Sequence, residues 1–244
     1  MFSQEPSCNY KKGQLAEVIC QLRFPEILMI NNEAPAGFQE KIRSYFPFYS
    51  VSTDGQNNKN YQFVSQDREW RVNLTSAFIS LSCAKYTSWS SFAAHLDMPV
   101  AALIQTYSPA CFERIGLRYI NFISRRELDV ESYPFSDLIR TPYLGILSEE
   151  DVVETATTRC NVDVELSINR DSKVKIHAGP GMVKQNGQAD AEVKFVFDQD
   201  IYTPAHTPIN QVASVLEMLH SYAYPIFRDA ITPFLHNAME PEND

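Results

Sequence analysis

The chain has 244 residues, 44% hydrophobic and 12% aromatic, enough for one large domain or two small lobes on a shared core and too apolar for wholesale disorder. Its 21 lysines and arginines face 30 aspartates and glutamates, and the net charge of -9 disfavours nucleic-acid binding unless a basic face is segregated. No apolar run reaches the roughly 18–20 residues of a membrane span; Met1-Phe2-Ser3-Gln4-Glu5-Pro6 lacks the basic-then-apolar character of a signal peptide; and five scattered cysteines without a CxxC fit a reducing cytoplasm better than a disulfide framework or zinc ribbon.

Residues 1–13 read as a loose, flexible arm. Leu15 to Phe24 then alternates, with Ala16, Val18, Cys20, Leu22 and Phe24 on one face, and Pro25 ends this half-buried strand. Phe38, Ile42 and Tyr45/Phe46 fall at helical spacing, so 35–46 is a short helix stopped by Pro47. A turn at 54–58 leads to a meander of three strands: Tyr61–Ser65, Glu69–Leu74 and Phe78–Cys83. Ser88 offers an N-cap for a helix bearing Trp89, Phe92 and Leu96, with a kink or new start expected at Pro99.

Phe112 to Ile123 is a long strand, and residues 124–150 are irregular. The clearest alternation follows, Cys160 to Ile168, pairing with Val174–Ala178. A polar loop, Gly179 to Asp190, precedes a strand over Ala191–Asp198. Thr207 and Pro208 mark the start of a long helix whose stripe includes Val212, Leu216, Leu219 and Ala223, kinked by Pro225. The fold class is therefore α+β: mostly antiparallel sheet, helices on one face and a long kinked C-terminal helix. The arm 1–13 precedes a single domain over 14–238, divisible into similar lobes at 14–124 and 150–238 with a crossover at 125–149, and 239–244 is a frayed tail. Each lobe is a meander followed by a helix, which allows an old duplication.

No phosphate loop, HExxH or GxSxG is present, and no catalytic residue, metal set or cofactor is assigned. Three features invite a functional reading. Arg114 and Arg118 share strand parity with Gly116, so both emerge on one sheet face, as an anion clamp or as ion pairs to acidic neighbours. Asp198 and Asp200 close a strand as solvated acids or as part of a cation site. His220 flanks the apolar stripe of the last helix, as a residue bonded to a backbone carbonyl or as a general base. With Asn121, these residues form the candidate binding set. Arg125, Arg126 and Arg140 lie among acids and read as a mixed surface.

Several segments have the order and spacing of a known group. They are Ala16-Glu17-Val18-Ile19-Cys20-Gln21-Leu22-Arg23-Phe24, Phe78-Ile79-Ser80-Leu81 with Tyr86, Trp89 and Phe92, Arg114 to Asn121, Phe197 to Tyr202, and Leu219-His220 through Ile226-Phe227 to Ala230-Ile231-Thr232. Nearly end to end, the chain resembles a sporadically distributed, uncharacterised family of bacterial and archaeal proteins. The resemblance implies no settled activity; the patchy distribution it implies is typical of mobile genes, phage-defence modules among them. The expectation is a cytoplasmic, non-catalytic binding or regulatory subunit with a protein partner or small ligand; a homo-oligomer stays open. Its rivals are a metal-dependent hydrolase or nuclease built on Asp198, Asp200 and His220, and a nucleic-acid-binding module.

Overall fold

A computed structural model describes residues 2–185 and 188–242. The elements in chain order are β1 (Leu15–Arg23), α1 (Leu28–Asn32), α2 (Ala36–Ile42), β2 (Phe48–Thr53), β3 (Lys59–Val64), β4 (Trp70–Leu74), β5 (Phe78–Cys83), α3 (Trp89–Tyr107), β6 (Arg114–Ile123), α4 (Phe135–Leu138), β7 (Val162–Ser167), β8 (Lys173–Gln185), β9 (Gln188–Tyr202), α5 (Val212–Ala230) and α6 (Pro233–Ala238). The strands form one nine-stranded sheet in the order β2-β3-β4-β5-β1-β6-β9-β8-β7. Every pairing is antiparallel. No helix of the described residues is long and apolar enough to cross a membrane.

The order exposes a repeated topology. In each half an opening strand (β1 or β6) is left for the sheet edge, and a meander returns to pair with it, β5 against β1 and β9 against β6. A 19-residue helix then follows, α3 in one half and α5 in the other. The opening strands join the halves, with Cys20 opposite Leu117 and Val18 opposite Tyr119. Period-two alternation gives the sheet a buried face of Val18, Cys20 and Leu22 on β1, Ile115, Leu117 and Ile123 on β6, and Phe195, Phe197 and Ile201 on β9. Helices α3 and α5 cover that face, α3 against β5 and α2, α5 against β6 and β9.

Several expectations need correction. Helix α3 runs through Pro99 with no new start there, while the long C-terminal helix α5 carries Pro225 within it. Pro99 is buried, and core packing around it offsets the missing hydrogen bond. Ser88 does cap α3, accepting from the Ser91 amide. Thr207 caps nothing: it exchanges two backbone hydrogen bonds with Phe112, and a 3-10 turn over Ile209–Gln211 leads into α5. The segment expected as a polar loop from Gly179 is strand, because β8 continues to Gln185 and β9 begins at Gln188; its tip, 186–187, lies outside the described residues. Pro180 is tolerated because β7 pairing ends at Ala178, which leaves β8 one neighbour beyond that point. Asp198 and Asp200 accordingly sit within β9 and not at its end. Strand β2, helix α1 and helix α6 went unforeseen; β2 is an edge strand with Phe48, Tyr49 and Val51 exposed, so its sequence carries no one-sided pattern.

The ends of the chain are tied together. Tyr10 bridges Pro241, the Lys11 and Lys12 amides donate to the carbonyls of Glu240 and Met239, and Glu242 donates to Asn9. Arg228 of α5 holds Glu5 at 2.6 Å. The described part of the arm thus contacts α5 and residues 239–242; Met1, Asn243 and Asp244 lie outside the described residues.

Candidate functional site

The candidate residues fall on opposite sides of the sheet. Arg114, Arg118, Asp198 and Asp200 project from the solvent face of β6 and β9, where strand parity places them together. Arg114 meets Asp200 at 2.6 Å, and Arg118 engages Asp198 through both Nε (2.7 Å) and Nη2. A β-carbon on Gly116 would lie 2.3 Å from Nη1 of Arg114. The glycine thus lets the guanidinium of Arg114 fold across the strand, over the ring of Tyr202 (4.3 Å) to Asp200; its space is filled by that neighbour. Register extends the pattern: Glu165, Lys175, Asp200 and Arg118 face one another in a row across four strands, as do Asp163, His177 and Asp198 across three. His177 bonds Asp163 at 2.7 Å. The result is a groove of about 460 Å³ with alternating charges, whose lining arginine, Arg118, already has Asp198 as its carboxylate partner. Among the described residues no group of three or more His, Cys, Asp or Glu is placed to hold a metal. Arg125, Arg126 and Arg140 are likewise paired, with Glu154, Asp190 and Asp229.

Asn121 and His220 lie on the other side, lining a cavity of about 600 Å³ bounded by β6, β9, α5, the start of α3 and the N-terminal arm. The sheet stands between His220 and the two aspartates, so the structure does not assemble them into a hydrolytic site. The cavity's polar groups come from residues whose positions in an apolar strand phase force them inward. Asn121 follows Ile115, Leu117 and Tyr119 on β6; Gln199 follows Phe195 and Phe197 on β9. Asn121 donates from Nδ2 to the Phe197 carbonyl at 3.4 Å. Gln199, 2% exposed, donates from Nε2 to the Ala223 carbonyl of α5 at 3.0 Å, while its Oε1 has no partner among the described residues. An unsatisfied buried carbonyl costs about 1–3 kcal/mol.

His220 shares a 2.8 Å hydrogen bond through Nδ1 with the buried Tyr119 hydroxyl, and not with a backbone carbonyl. Its ring stacks on Trp89, centroids 4.5 Å apart, and Trp89 donates from Nε1 to Glu217 at 2.7 Å. Burial pushes the His220 pKa below the ordinary imidazole value, against a smaller upward pull from Glu217, and so favours the neutral ring. Burial also lifts Tyr119 well above the usual phenol value. On the arm side Cys8 lies 3.3 Å from the Tyr224 hydroxyl, and Tyr10 bonds His236 at 2.8 Å. Tyr119, Gln199, Trp89 and Tyr224 are not among the site residues read from the sequence. Gln199 carried a signal there, a polar residue in the apolar phase of a strand; the tyrosines and the tryptophan look like any core aromatic.

The lowered His220 pKa sets a pH dependence. The unfolded chain binds more protons than the folded one below about pH 6.5. Stability is full above that value and falls as pH drops toward the folded-state pKa. The thermal midpoint should drop between pH 7.5 and 5.5, and His220→Gln should shrink that drop. His236, also lowered by burial, retains the remainder. An unchanged slope in the variant, followed by circular dichroism melting, would remove His220 from this role.

No family model and no curated protein matches the chain. Among solved structures, the crystal structure of the di-domain ARO/CYC StfQ from the steffimycin biosynthetic pathway aligns at 9% identity over 87% of this chain and 98% of that one. Its TM-score of 0.17 is too low to support a conclusion about fold or function.

Proposed function

We propose that the protein is a non-catalytic binding or regulatory subunit that holds a small organic ligand in the cavity between α5, the sheet centre and the N-terminal arm. The observation behind this reading is a roughly 600 Å³ space, within the range of small-molecule sites, whose lining combines Tyr119, Asn121, Gln199 and His220 with aromatic side chains. Around it the polar groups are hydrogen bonded to one another (Tyr119 to His220, Asn121 to a strand carbonyl), a preset arrangement suited to orienting a bound molecule. The solvent-face groove favours this role less, since its arginine, Arg118, is already neutralised within the sheet.

The neutral dye Nile red should bind saturably with enhanced fluorescence. Ala223→Phe, which fills the cavity from the α5 side, should weaken binding by about tenfold or more, as expected when a ring's worth of apolar contact is displaced. Arg118→Ala on the solvent face should leave binding unchanged. If the dye binds equally well to folded Ala223→Phe protein, the cavity is not its site and the reading fails.

A further inference from the structure

We infer that two copies of the chain pair through β2, edge to edge and antiparallel, about a two-fold axis at Val51, so that one sheet runs through both. This surface lies at the edge of the sheet and the cavity at its centre, so the inference stands apart from the binding role proposed above.

The backbone is the first argument. Strand β2 ends the sheet and pairs with β3 in unbroken register, from Phe48 opposite Val64 to Thr53 opposite Lys59. Just past it the Asp54 amide donates to the Asn58 carbonyl, and on the other side of β3 the Ser65 amide donates to the Trp70 carbonyl of β4. Alternation along the two strands therefore turns the polar backbone groups of Phe48, Ser50 and Ser52 toward β3. Those of Tyr49, Val51 and Thr53 point outward. Such an uncovered row is a template for another strand. With the axis at Val51, Val51 bonds its own copy and Tyr49 exchanges bonds with Thr53 of the second copy, so all three residues are satisfied. An axis at Ser50 would set Thr53 against Pro47, which has no N–H to give.

Side chains are the second argument. Tyr49 stacks on buried Phe63 at 6.3 Å and Val51 lies opposite buried Tyr61, so both point to the helix-covered face. Helix α2 reaches Phe63 through Phe38, 5.5 Å away, yet Tyr49 and Val51 stay 59% and 52% exposed. The two-fold sets Val51 against Val51 with a Tyr49 ring diagonal on either side, an apolar strip across the joint.

Charge is the third. No residue of β2 is charged. In this register exposed Asp54 falls opposite Phe48 of the second copy, where Arg68 lies over the Phe48 ring at 4.6 Å. Each Asp54 carboxylate thus meets a guanidinium across the axis. The far edge of the sheet is built the other way. Strand β7 carries exposed Asp163 and Glu165 on one face, and a two-fold pairing centred on Val164 would set these acids against each other. A closed dimer therefore forms through β2, and the charged edges stay apart.

Sedimentation equilibrium between about 1 and 100 μM should give twice the 27.8 kDa mass of the chain. Val51→Lys, which places two ammonium groups face to face, should raise the dimer Kd by about a hundredfold or more, and Arg68→Glu by about tenfold. Val51→Pro removes an outward N–H without touching the β3 ladder and should also return the chain to monomer. In the wild-type dimer the Tyr49, Val51 and Thr53 amides should be protected from hydrogen exchange, followed by NMR, whereas amides of a bare edge exchange fast. A monomer throughout the range, a mass that grows without limit, or a dimer that survives in folded Val51→Lys overturns the inference. If the substituted chains do not fold, wild-type exchange decides: fast exchange at those three amides overturns the pairing.

Discussion

Phe197→Ala should lower the free energy of unfolding by about 3–5 kcal/mol, the usual cost of deleting a buried phenylalanine ring. Phe197 is fully buried on β9, opposite Asn121 of β6 and Ala178 of β8. Its ring meets Phe227 of α5 edge-on at 6.1 Å and Tyr143 of the crossover at 5.5 Å. It therefore joins three parts of the second half: sheet, covering helix and crossover. Removal leaves a cavity between elements fixed by separate backbone pairings, so collapse is only partial. Equilibrium denaturation in urea should show a lower midpoint with an unchanged slope. A loss below about 1.5 kcal/mol would mean that the ring is not packed among these partners.

Gly179→Ala is the second large effect, expected at about 1–3 kcal/mol from overpacking, or about 2–12 °C in melting temperature for a domain of this size. A β-carbon at Gly179 would stand 2.3 Å from the Cys160 carbonyl oxygen and 3.1 Å from the Asn161 α-carbon. These are backbone atoms just before β7, which cannot swing aside as a side chain would. The nearby Gly181→Ala provides the contrast. Its β-carbon finds only Val196 Cγ2 at 3.6 Å, an ordinary contact, and the change should be neutral or slightly stabilising. Equal melting temperatures for the two variants would show that the backbone before β7 does not press on Gly179. Gly116→Ala lies between these cases, since the atoms it meets belong to the flexible end of Arg114.

Sequence alternation identified β1, β3 to β7 and parts of β8 and β9, and it placed Arg114 and Arg118 on one face. That pattern survives because a strand with one buried face must repeat every second residue. The helical stripe from Val212 to Ala230 was equally legible, for the corresponding reason at period 3.6. Local rules failed where packing outweighed them. Pro99 stays within one continuous helix because the surrounding contacts outweigh one lost hydrogen bond, and Gly179-Pro180-Gly181 stays in a strand because that stretch has a single strand neighbour.

Which candidates meet was beyond the sequence. Asp198, Asp200 and His220 look like a set when written in order, yet the two aspartates face solvent on β9 while His220 reaches the opposite side of the sheet from α5. Alternation fixes the side of each strand residue; the helix that covers that side is chosen by the chain's path. The strap of the arm onto the tail, and the cavity it helps enclose, join residues more than 200 positions apart, such as Glu5 with Arg228. Contacts at such separations follow from the order of strands across the sheet, and only the folded chain decides that order.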